Sequence, residues 1–147
     1  MKTLIAIYFL TCGFAVSQTA TEHADAVKIG SVSPEDYDWP SYIHGAQSTA
    51  DEMNRAYSGI KTVKPRLEQL LSELRGILKN DSEGLKQLEK MNKLWQESTD
   101  IEVAWIAKSY EGGSQKNAEI AKARLRTLVM RVKYLVRFKG ESGLFNQ

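Results

Sequence analysis

Cysteine is nearly missing from this chain: the one copy among 147 residues is Cys12. Proline is scarce, with three copies. Past residue 12, no thiol remains for nucleophilic catalysis, a cysteine metal centre or a disulfide framework. The apolar run Leu4 to Leu10 is shorter than the roughly 20 residues a membrane-spanning helix needs. Neither sign of charge dominates. The formal net charge is +2, which gives no reason to expect a nucleic-acid partner. With 42% hydrophobic and 26% charged residues, the composition is that of one modest globular domain.

The first residues fit a secretory signal peptide, with a basic start at Lys2, the apolar run, and small residues at Ala15 and Ser17. Residues 1–17 are read as that peptide, cut after Ser17, which implies an exported protein, periplasmic or secreted. Cys12 is then discarded with it. A lipoprotein cut before Cys12 is the alternative, although Phe9-Leu10-Thr11 fits that signal poorly. It would anchor the protein to a membrane without spanning it.

Residues 18–46 look irregular, carrying two of the prolines and little periodicity. This segment is acidic at Glu35, Asp36 and Asp38 and aromatic at Tyr37, Trp39 and Tyr42. From Thr49 the pattern becomes helical. Thr49-Ala50-Asp51-Glu52 reads as a capping box. Met53, Ile60, Leu67 and Leu74, with Ala56, Val63, Leu70 and Ile77, form a continuous apolar stripe. Pro65 lies inside it without shifting its phase, so a single helix over about 48–79 is expected, kinked between Gly59 and Pro65. A second helix is expected over about 82–110, its buried side marked by Leu85, Leu88, Met91, Trp95, Ile101 and Trp105. The third, about 114–139, has steps of three and four at Ala118, Ala121, Leu125, Leu128, Val132 and Leu135. Residues 140–147 read as a tail. The fold class is all-α, an antiparallel three-helix bundle running up, down and up.

Gly112-Gly113-Ser114 separates the last two helices. Glycine closes a helix in the left-handed conformation and serine caps the next one. A structural corner is therefore expected, with an anion cradle as the alternative.

Three segments carry a resemblance. "ADEMNRAY" (50–57) has Met53, Asn54 and Tyr57; "LEKMNKLWQESTD" (88–100) has Leu88, Asn92 and Trp95; "YEGGS" (110–114) has Gly112, Gly113 and Ser114. "RTLVMRVKYL" (126–135) follows with altered spacing. Over roughly residues 47–138 the chain resembles the LprI-like lysozyme-inhibitor family, small exported bacterial helical domains. The resemblance implies a helical domain that binds a lysozyme-type muramidase. The chain departs from the family in lacking paired cysteines and in having Thr99 where an arginine is usual.

Candidate binding residues fall in two groups. Tyr37, Trp39 and Tyr42, beside acids, would make an exposed aromatic loop that inserts into a basic partner, or fold back and cap the helices. Arg126, Lys133 and Arg137 belong to a basic third helix, which suits an anionic envelope polymer or lipid or else is a solvated face. Trp95 is expected in the core, and Asn54 and Tyr57 as a buried or half-buried pair. His23 and His44 lack metal-ligand spacing, and no catalytic constellation is legible. The chain thus reads as a cofactor-free binding protein, either a lysozyme inhibitor or an envelope adaptor.

Overall fold

The computed structural model describes residues 32–141. The expected signal peptide, the stretch after it to residue 31 with His23, and the tail beyond 141 lie outside the described residues. The chain divides into two units, Met1–Tyr37 and Asp38–Gln147. In the first, a turn is closed where the Asp36 N–H donates to the Ser33 carbonyl at 2.9 Å. The second is all-helical, with no strand among the described residues: α1 is Trp39–His44, α2 Thr49–Ile77, α3 Ser82–Ser109 and α4 Lys116–Glu141, and a 3-10 turn, Leu78–Asn80, follows α2.

α1 begins where the Asp38 carboxylate accepts the Ser41 N–H at 3.2 Å. That bond holds the Asp38 carboxyl below the usual carboxylate range. Part of the expected irregular segment is therefore a short helix. α2 is capped one residue earlier than expected, because Ser48 Oγ and not Thr49 accepts the Asp51 N–H at 3.1 Å. Asp51 in turn accepts the Gln47 N–H at 3.0 Å, while Glu52, the expected partner in the box, reaches Lys122 on α4 at 3.1 Å. α2 continues through Pro65 for 29 residues. Gly59 is a packing position, where Trp39 of α1 and Leu125 of α4 close over the backbone.

Ion pairs give the helix directions. Glu52 with Lys122 joins the starts of α2 and α4, and Glu73 with Lys139 at 2.7 Å joins their ends, so these two helices run parallel. Arg75 with Glu89 and Arg126 with Glu102 tie α3 antiparallel to both. The path is up, down, up, as the periodicity predicts.

The core is lopsided. Ala56, Val63, Leu67, Leu70 and Leu74 of α2 are buried against Ala118, Ala121, Leu125, Leu128, Val132 and Leu135 of α4. The α2–α4 seam is much the larger, and α3 rests mainly on α4. Leu88 is the one residue of α3 that is fully buried. Burying such side chains contributes roughly 1.5–3 kcal/mol each, so α3 is held far less firmly than its neighbours.

Candidate functional site

α3 carries two stripes, and the inner one is mixed in character. Leu85, Leu88, Asn92, Trp95, Thr99, Glu102 and Ile106 follow steps of three and four and are buried or half-buried. The outer stripe is apolar and uncovered. Leu94, Ile101 and Trp105 are 54%, 71% and 70% exposed. Steps of seven and four place them within about 40° of one another at 100° per residue. The expectation that Ile101 and Trp105 face the core is therefore corrected. Ten residues separate Trp95 from Trp105, about 80° around the helix, and that rotation sends the first ring inward and the second into solvent.

Charge around the outer stripe is uneven. Between Gln96 and Ala107 there are three acids, Glu97, Asp100 and Glu102, and no base. Glu102 is turned inward by its pairing with Arg126, leaving Glu97 and Asp100 exposed beside Ile101 and Trp105. Glu97 is only loosely matched by Lys93, at 3.8 Å. The result is an apolar ridge with an acidic margin.

The aromatic segment is not a projecting loop. Trp39 is 3% exposed, buried by its packing over Gly59. Tyr42 meets its ring edge-on at 6.0 Å. Arg55 lies over Tyr42, 5.2 Å from the ring centroid, and donates to the Tyr42 carbonyl at 2.8 Å. Trp39 and Tyr42 thus cap the helices. Tyr37 is half-buried.

The basic helix is partly neutralised. Lys122 sits between Glu52 and Glu119, whose carboxylates outweigh its partial burial and raise its pKa. Arg126 and Lys139 are paired to α3 and α2. Lys133 and Arg137 are exposed. Of the three basic residues expected to act together, Arg126 is already held by Glu102 of α3.

Arg131 is the residue that sequence reasoning missed. It is 7% exposed, stacked 5.8 Å from the Trp95 ring and 5.5 Å from that of Tyr134. Desolvation pulls its pKa below the usual guanidinium value. A signal was present: Arg131 lies three residues after Leu128 and four before Leu135, the spacing of a seam position.

Two structural expectations fail. Asn54 and Tyr57 are exposed, not a buried pair, because they lie on the side of α2 away from α4. Ser114 does not cap α4, since the first helical bond runs from the Glu119 N–H to the Gln115 carbonyl at 3.0 Å. The corner itself stands on Gly112, at φ +77°, while the Gly113 N–H turns inward to the Tyr110 carbonyl at 3.0 Å. Among the described residues no group of three His, Cys, Asp or Glu side chains is placed to hold a metal, and no helix is long and apolar enough to cross a membrane. No protein-family model, curated protein or solved structure matches the chain.

Proposed function

We propose that this is an exported, non-enzymatic binding protein whose partner surface is the outer face of α3. The observation that carries the reading is the exposed Leu94–Ile101–Trp105 ridge with Glu97 and Asp100 beside it. Tryptophan is among the residues that dominate interface energetics, and acids at a rim steer a basic partner. A basic protein is therefore the occupant that charge complementarity favours. The LprI-like resemblance makes a lysozyme-type muramidase the first candidate, with inhibition by occlusion of its cleft. The capping of the helices by Trp39 and Tyr42 moves the proposed contact from the aromatic segment to α3. An envelope adaptor built on Arg126, Lys133 and Arg137 is less well supported, because Glu102 already holds Arg126.

Calorimetric titration of a basic lysozyme into the protein tests the surface. Ile101→Ser with Trp105→Ala should weaken binding at least tenfold while the helical circular dichroism stays unchanged. Undiminished affinity in that variant would remove α3 from the contact.

A further inference from the structure

Arg131 carries an electrostatic debt that its surroundings do not settle. It is more than nine-tenths buried on α4, and its Nε and Nη2 have no hydrogen-bond acceptor among the described residues. Trp95 and Tyr134 offer only their ring faces. Cation–π contact offsets only part of what an unpaired buried charge costs. The two acids that α3 directs at other helices are engaged elsewhere, Glu89 with Arg75 and Glu102 with Arg126.

The identity of the two unpaired atoms is informative. Nε and Nη2 form one edge of the guanidinium, and their N–H groups point the same way. At Arg75 in this same chain that edge holds a carboxylate side-on: Nε donates to Glu89 Oε1 at 2.7 Å and Nη2 to Oε2 at 3.2 Å. Arg131 presents the same fork with no carboxylate on it. Such bidentate pairing is the strongest hydrogen bonding that arginine makes. Asn92 lies one turn before Trp95 on the same face of α3, and its Oδ1 is also buried without a partner. Exchanging its amide O and N would turn a donor towards an anion, at no cost in shape.

The geometry points to a small-carboxylate site in the α3–α4 seam, with the Nε–Nη2 edge of Arg131 as the fork, Trp95 and Tyr134 stacked on the guanidinium, and Asn92 as a further polar contact. The donors have essentially no accessible surface, so a side chain on a folded partner does not reach them. A small organic acid does, once the half-exposed Tyr134 ring swings aside or α3 lifts. α3 is the helix best able to lift, having the single fully buried residue Leu88. The site faces inward and is separate from the outer ridge proposed as the protein contact.

Acetate and benzoate are the probes, titrated into the full chain at constant ionic strength, with sulfate and chloride as controls. The Arg131 side-chain Nε–H resonance should shift downfield and saturate with either carboxylate, and the melting temperature should rise by several degrees at about ten times the dissociation constant. Neither control should do this. Arg131→Lys keeps the charge and removes the fork, so it should lose the carboxylate-dependent rise. Arg131→Met should lose it too, and should melt at or above the wild-type temperature without ligand, since it removes an uncompensated charge. A resonance that stays fixed through both titrations overturns the site, and that readout requires no variant to fold. An equal response to sulfate overturns the assignment to planar carboxylates, as does a rise retained by Arg131→Lys.

Discussion

The Trp39 ring lies where Gly59 would carry a Cβ, with Cζ3 and Cε3 2.7 and 2.9 Å from that position and Leu125 Cδ2 also at 2.7 Å. The glycine lets α1 close onto α2 and α4 together. Gly59→Ala should gain up to about 1 kcal/mol in helix propensity and lose about 1–3 kcal/mol to overpacking. The ring and the leucine are both buried and cannot yield freely. We expect a net destabilisation of about 1–2 kcal/mol, read as a lower urea midpoint at unchanged slope.

Leu88 is the main attachment of α3. Leu88→Ala should cost about 2–4 kcal/mol, concentrated on α3. Hydrogen exchange should show α3 amides losing protection while those of α2 and α4 keep theirs, the pattern of sub-global opening. Uniform loss of protection in all three helices would mean that α3 is not separately held.

Helix starts give a smaller effect. The Asp81 carboxylate accepts the Gly84 N–H at 2.9 Å at the start of α3. Asp81→Ala should cost about 1 kcal/mol, measured by thermal or urea unfolding.

Acid should weaken the protein through two glutamates. The bond from Lys139, helped by one from Gln69, holds the Glu73 carboxyl below the ordinary glutamate range. Arg75 does the same for Glu89. A depressed folded-state pKa contributes stability that is present above the unfolded value and lost as pH falls through the folded one. Unfolding free energy should therefore decline as pH drops below the ordinary glutamate range, and Glu73→Gln should flatten part of that slope. Both pairs are partly solvated, so each contributes less than about 1 kcal/mol.

Periodicity located the helices well where one stripe is apolar. Ala118, Ala121, Leu125, Leu128, Val132 and Leu135 form the α4 seam and are all buried. On α3 it selected Ile101 and Trp105 as buried, because the helix offers two stripes and hydropathy prefers the more apolar. The structure turns the mixed stripe inward: Leu88 is buried, Trp95 and Ile106 are half-buried, Arg131 of α4 lies over Trp95 and Glu102 pairs with Arg126. An exposed apolar ridge cannot be told from a core face by pattern alone. Arg131 was hidden among eight basic residues of the last helix, where a solvated face is the ordinary expectation. Its spacing from Leu128 and Leu135 marks a seam position, but the Trp95 ring over it comes from α3, which the pattern within α4 does not record. The exposed Trp105 itself should matter little to the fold: Trp105→Ala should change unfolding free energy by less than about 0.5 kcal/mol.

The most direct measurement is residual muramidase activity with the purified protein in excess, wild type beside the Ile101→Ser, Trp105→Ala double variant. Dose-dependent inhibition by the wild type, lost in a variant that keeps its helicity, is the predicted result. Full enzyme activity in the presence of the wild type, or equal inhibition by both proteins, would contradict it.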